Sequence, residues 1–303
     1  MKLAIKSKSM IRDYQLWLMV LPAIIAIIIF NYIPMYGIQL AFKDFDFSKG
    51  LTGGEFRGFH YFTQFIDNYQ FGTLMKNTFI ISFATIIIGF PAPIILALLL
   101  NQIRIKKFKQ IMQTTVYLPH FISIIVLVGM LNVLLSSETG IVGHFMKALG
   151  LGHINLLASV NSFIPVYVLS DIWQHCGWNS IIFLAALSTV DPQLYDSAKI
   201  DGANRFQMIR HIDLPALKPT IIILFILSMG NILGTGFEKI FLMQNNLNLP
   251  VSEVIATYVY KIGIVSNQFS YASAIGLFNT VINFAFLISM NAISKKVSDT
   301  SLY

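Results

Sequence analysis

The chain has 303 residues, of which 55% are hydrophobic and only 12% charged, with a formal net charge of +7 and a mean hydropathy of +0.69. Soluble domains carry about 25% charged residues, so this composition excludes a water-covered globule and points to an integral membrane protein. A single cysteine, Cys176, excludes a disulfide framework within the chain.

A membrane-spanning helix needs about 20 mostly apolar residues. Six stretches meet that length: 16–40, 78–100, 111–135, 163–187, 216–239 and 271–293. The expected fold is all-α and integral to the membrane, with six transmembrane helices over 16–293, a segment 1–15 before them and a tail 294–303 after. Lys2, Lys6, Lys8 and Arg12 precede the first stretch, as in a secretory signal. Its apolar run is too long for one and no small-residue cleavage site follows, so it reads as a retained span. After it, the aromatic-rich run GFHYFTQFIDNY at 58–69 predicts a helix lying in the membrane interface.

Basic residues set the orientation. Of 21 lysines and arginines, fourteen fall in the amino-terminal segment, the 101–110 loop, the 188–218 region and the tail, and seven fall on the opposite side. Both termini are therefore expected in the cytoplasm, with 58–69, 135–162 and 244–270 outside. The same bias accounts for the net charge without nucleic acid.

The third predicted span opens after Pro119 and His120, and His120 reads as a local hydrogen-bonding group near the cytoplasmic interface. In the fourth, Asp171, Gln174, His175, Trp178 and Asn179 share one helical face. Asp171 lies roughly 12 Å inside the span at about 1.5 Å per residue. An unpaired charge at mid-membrane costs about 2.5–3.5 kcal/mol, so it needs a wet cavity or a partner, for which His175 is placed. Ser228, Asn231, Thr235 and Glu238 repeat the stripe in the fifth span, and Gly276, Asn279, Thr280 and Asn283 in the sixth. Such stripes either line a polar path or serve helix packing.

Between the fourth and fifth spans lies a charged insert, 189–215. Asp191 is placed as the N-cap of a helix over 192–200, Gly202 marks a bend, and a second helix from about Ala203 puts Phe206, Ile209 and Ile212 near one stripe. Pro215 allows a fresh start for the fifth span. Periodicity alone fits a solvated loop or an interfacial helix equally well. No G-x-x-x-x-G-K-[ST] loop occurs; GTGFEK at 234–239 lacks the spacing, and neither H-E-x-x-H nor G-x-S-x-G is present.

The insert resembles a known motif. Asp196, Ser197 and Ala198, three residues, Gly202, nine residues, then Ile212, one residue, Leu214 and Pro215 is similar to the EAA loop of binding-protein-dependent ABC importer permeases, with Asp196 for the usual Glu and Ser197 for the usual Ala. IGFPAPIILALLLNQIR, QTTVYLPHFIS, GWNSIIFLAALSTVDPQLYDSAKIDGA, GTGFEKIF and the terminal SLY resemble the LplB-type branch of the carbohydrate-uptake permeases, relatives of the maltose permease. The resemblance implies a type I ABC importer permease fold in a bacterial cell membrane. It implies that Asp196, Ser197, Ala198, Asp201, Gly202, Ala203, Phe206, Leu214 and Pro215 dock into a separate ATP-binding cassette ATPase dimer. ATP and Mg would then be used by that partner, and no cofactor by this chain. The other implied partners are a second, homologous permease subunit, an extracellular solute-binding protein and the oligosaccharide it delivers. Asp171, Gln174, His175, Trp178, Asn231, Thr235, Glu238 and Asn279 become the candidates for the sugar path. The rival reading is an ion- or proton-coupled secondary transporter with Asp171 and His175 as its relay.

Overall fold

The computed structural model describes residues 14–51, 53–150, 155–234 and 236–297. Lys2, Lys6, Lys8, Arg12, Thr235 and the SLY terminus lie outside the described residues. Those described are helical apart from connecting turns and two isolated bridges, Lys43 with Phe56 and Asp46 with Gly50.

The described residues form two compact units, one of 14–67 with Lys261–Leu277, the other of Asn68–Tyr260 with 278–297. In the first, helix α1 runs Tyr14–Phe42. No residue of its Tyr14–Ile27 portion is buried within the chain, an all-round apolar exposure that water would penalise. The connection to helix α2, His60–Ile66, folds back on itself. Asp44 N–H donates to the Glu55 carbonyl at 2.9 Å and Arg57 N–H to the Phe42 carbonyl at 2.8 Å. Asp44 also accepts from Tyr61 Oη at 2.9 Å, and Phe45 N–H donates to Ser270 Oγ at 2.9 Å. Helix α2 falls within the aromatic-rich run 58–69.

The second unit holds the site. Helix α3 is Phe71–Asn101, with a π turn at Thr85–Gly89 just before Pro91 and Pro93, where the missing proline N–H groups interrupt the ladder. Helices α4, Lys106–Phe121, and α5, Ile124–Leu134, meet at a bend of 97°, although the sequence predicts one continuous helix over 111–135. Pro119 sits in the last turn of α4, and Ser123 caps α5 by accepting from Val126 N–H at 3.3 Å, so the chain ends one helix and starts another. After α6, Ile141–Ala148, comes the 29-residue α7, Val160–Ser188. Its Phe183 and Leu187 form a buried cluster with Ala97 and Leu98 of α3 and with Leu217. A Cβ at Gly177 would overlap the Val116 carbonyl oxygen, so the glycine is what lets α4 lie against α7.

Helix α8 is Pro192–Ile200, and α9 is Arg205–Met229. The predicted break at Pro215 is absent. The π turn Ile209–Asp213 precedes Pro215 and carries the helix through it, so the second helix of the insert and the fifth predicted span are one element. The far end is corrected too: α9 stops at Met229, the chain is non-helical over 230–234, and a short helix, α10, follows at Phe237–Met243. Helices α11, Leu249–Ser252, α12, Ile255–Val265, and α13, Phe269–Val297, follow among the described residues.

Among the described residues, four helices are long and apolar enough to cross a membrane, α1, α3, α9 and α13, or five if the bent α4–α5 pair is one span. The sequence count of six differs because it includes α7, which has the length but carries the polar stripe.

Candidate functional site

Helices α3, α7 and α9 line an open cavity of about 670 Å³. Asp171, His175, Trp178 and Asn179 of α7 meet Thr85 and Phe90 of α3 and Ser228 at the end of α9, with Asn231 beyond it. The π turn of α3 contributes Thr85, Ile86 and Gly89 to this wall. The Thr85 hydroxyl donates to the Ile81 carbonyl at 2.8 Å, consistent with the widened turn there.

The carboxylate of Asp171 lies between two bases. His175 Nδ1 is 3.4 Å away, one turn along α7, and Lys239 Nζ, on α10, is 3.3 Å away. Lys239 exposes only 3% of its side chain, against 27% for Asp171. Its ammonium also donates to the Tyr167 carbonyl at 3.1 Å and sits 4.8 Å from the Tyr167 ring centre. A buried ammonium requires such company. Sequence reasoning missed this ion pair by placing Lys239 among the external charges; a lone lysine closing an apolar stretch was the signal available, because an intramembrane carboxylate implies a cation.

The predicted residues divide. Asp171, His175, Trp178 and Asn231 line the cavity. Gln174 does not: it is 2% exposed and its Nε2 donates to the Ile122 carbonyl at 2.8 Å, occupying a backbone acceptor freed at the α4–α5 bend. Asn279 is likewise turned to backbone, its Nδ2 lying 3.5 Å from the Leu233 carbonyl, while Asn283 accepts from Leu233 N–H at 2.8 Å. These two amides of α13 hold the unwound segment after α9. Glu238 is exposed on α10, where the end of α9 at Met229 takes it off the stripe of Ser228. Thr235 is outside the described residues. His120 stacks on Trp178 with ring centres 4.5 Å apart and planes at 4°, and its ring centre is 5.5 Å from that of His175. It therefore packs directly behind two of the cavity-lining residues of α7.

The insert between α7 and α9 is built from standard helix ends. Asp191 caps α8 by accepting from Gln193 N–H at 2.9 Å. At the other end Ala203 N–H donates to the Ala198 carbonyl at 2.8 Å and Gly202 N–H to the Lys199 carbonyl at 3.1 Å, a Schellman closure with Gly202 at φ +76°. Asn204 and Gln207 then form a reciprocal capping box that starts α9. Asp196, Ser197, Asp201, Gly202, Phe206, Leu214 and Pro215 are exposed, and Ala198 and Ala203 half-buried. Asp196 is engaged by Lys199 at 2.7 Å on the open surface, a contact that water screens. Below this surface Asp213 is fully buried and accepts from Tyr195 Oη, Gln102 Nε2 at 3.0 Å and Asn101 Nδ2 at 3.4 Å. Burial and the facing Asp213 carboxylate push the Tyr195 phenol up to about 12. The sequence offered only an acid inside the apolar run I-D-L-P as a hint of this junction.

The chain matches, over residues 89–299, the family described as binding-protein-dependent transport system inner membrane component. It is 40% identical over 295 residues to the polygalacturonan/rhamnogalacturonan transport system permease protein YteP of Bacillus subtilis (strain 168), covering 97% of this chain and 92% of that protein. It is 40% identical over 292 residues to protein LplB of the same organism, covering 96% and 92%. A chain in the crystal structure of a bacterial alginate ABC transporter in complex with alginate pentasaccharide-bound periplasmic protein superimposes with a TM-score of 0.88. The two are 38% identical, with 97% of this chain and 99% of that one covered.

Proposed function

Because the chain belongs to the family of binding-protein-dependent transport system inner membrane components, we propose that it is the membrane-spanning subunit of an ATP-driven importer of oligosaccharides. It is a sugar ABC transporter permease. An extracellular solute-binding protein hands the oligosaccharide to this chain and to a second, homologous permease subunit. A separate cytoplasmic ATPase dimer, using ATP and Mg, docks on α8 and the start of α9. In this reading the subunit crosses the bacterial membrane six times with both termini inside, α7 counting as a span whose polar face is turned to the cavity. The spanning part covers 16–293, with the coupling loop at 189–215.

One observation carries the reading: the exposed insert is the covalent link between two of the three helices that wall the cavity, since α7 ends at Ser188 and α9 begins at Arg205. A tilt imposed on α8 thereby moves the cavity wall as a rigid-body displacement. The cavity suits a sugar because amides, hydroxyls and a carboxylate can exchange hydrogen bonds with its hydroxyl groups, and Trp178 offers an aromatic ring to the C–H face of a pyranose. Acidic oligosaccharides are the substrates we favour. Polygalacturonan and alginate, in the names of the similar proteins, are polyanions, and the one carboxylate among the described lining residues is paired with Lys239.

Reconstitution tests this. The complex purified with its co-expressed partners is placed in vesicles and given labelled oligogalacturonate with its binding protein; uptake should require ATP on the ATPase side. The Asp171–His175 pair at 3.4 Å keeps one alternative open, a proton-coupled transporter. Uptake driven by a pH gradient in the absence of ATP would establish that alternative and defeat the importer reading.

A further inference from the structure

We propose that Asp213 is the positioning residue through which movement of α8 reaches both α9 and the end of α3; this rests on the importer reading above. The residue is 0% exposed, and its carboxylate oxygens are committed to other elements. Oδ1 accepts from Tyr195 on α8 and from Asn101, the last residue of α3, and Oδ2 accepts from Gln102 just beyond. Its own backbone closes the π turn of α9 and leads into Leu214 and Pro215. One side chain therefore ties three segments of the chain together at a single buried point.

Apolar contact cannot substitute for this tie. No residue of α8 is buried, and Leu194 and Ile200 expose 53% and 87% of their surface, so α8 is not anchored to the helices beneath it by a hydrophobic seam of its own. Tyr195 and Ala198 are its half-buried residues, and the Tyr195 hydroxyl reaches Asp213. Two of the three cavity helices, α3 and α9, meet at this carboxylate, so pulling on Tyr195 loads both of them.

The donor and acceptor count makes the proposal specific. Asp213 offers acceptors only, to three donors. An asparagine in its place would turn an N–H₂ group towards at least one of them, whereas pairing it with glutamate at position 102 would give that group an acceptor again. Tyr195→Phe removes the hydroxyl that joins α8 to Asp213 and leaves the bonds from Asn101 and Gln102 to Asp213 in place.

Cys176 supplies the reporter, being the chain's single cysteine and part of the cavity wall. In the full complex with its ATPase, the modification rate of Cys176 by a small maleimide, read by mass spectrometry on its peptide, should change at least five-fold between nucleotide-free and ATP-vanadate states. Y195F should reduce that change to less than two-fold while leaving the nucleotide-free rate and the assembly of the complex as in wild type. D213N should do the same, and D213N combined with Q102E should recover at least half of the wild-type response. The proposal is overturned if Y195F responds to nucleotide like wild type, if the double variant is no better than D213N, or if Y195F fails to assemble, which would make the junction a folding element only. A wild-type complex that hydrolyses ATP with no change at Cys176 would defeat the coupled-importer reading itself, and this proposal with it; a responsive wild type beside a responsive Y195F defeats this proposal alone.

Discussion

Removing either partner of the Lys239–Asp171 pair should destabilise the subunit by unequal amounts, and removing both should cost less than either alone. Breaking a buried ion pair by deleting one member costs about 3–5 kcal/mol, because an uncompensated charge is left behind. Lys239→Met leaves Asp171, which still exposes 27% of its side chain to the cavity and keeps His175 at 3.4 Å. Water and the imidazole offset part of the penalty, giving an expected loss of about 2–3 kcal/mol. Asp171→Asn leaves the ammonium of Lys239, only 3% exposed, with the Tyr167 carbonyl at 3.1 Å and the Tyr167 ring as its remaining company. That change should cost about 3–5 kcal/mol. In the double variant no unpaired charge remains, and the loss should fall to about 0–2 kcal/mol, since neutral replacement of a buried pair is often tolerated. The assay is unfolding of the purified subunit in mixed micelles titrated with SDS, read by tryptophan fluorescence and analysed as a double-mutant cycle. Single variants that each cost under ~1 kcal/mol, or a double variant whose loss equals the sum of the singles, would refute the assignment of a buried, mutually dependent pair.

Two further outcomes are expected. Gln174→Leu leaves the Ile122 carbonyl at the α4–α5 bend without the donor it has at 2.8 Å, and should lower stability in the same titration by about 1–3 kcal/mol; no measurable change would mean that the bend is satisfied by another donor. In a Cys176→Ser background, cysteines placed at Thr63 and Lys147 should react with an impermeant maleimide on intact cells while those at Lys106 and Arg205 stay unlabelled, and labelling at 205 would invert the proposed orientation and remove the ATPase from α8.

The physical character of the chain was legible from composition, because apolar runs of spanning length leave few alternatives in water. Helices α3, α7 and α13 cover the predicted stretches 78–100, 163–187 and 271–293. Two ends of the insert were legible too, since Asp191 and Gly202 act through purely local hydrogen bonds that a sequence displays directly, whereas the capping box of Asn204 and Gln207 is seen only in the structure. The insert's continuity with the fifth span was misread at Pro215. A proline marks a missing donor, and whether the helix stops or absorbs the gap in a π turn, as at Ile209–Asp213, is decided by what packs around it.

The polar stripes mark the limit of sequence reasoning. Spacing alone determined that Asp171, Gln174, His175 and Trp178 share one side of a helix, and intramembrane cost determined that Asp171 needs company. Only the tertiary structure decided which company. It directed Gln174 to the bend at Ile122 and Asn279 and Asn283 to the unwound backbone at Leu233, left Asp171 and Asn231 on a cavity wall, and brought Lys239 across from another helix. The physical reason is that buried backbone groups freed by breaks in α4–α5 and after α9 compete for the same amides that could meet a ligand, and helical periodicity fixes a residue's face but not the partner that arrives there from elsewhere in the chain.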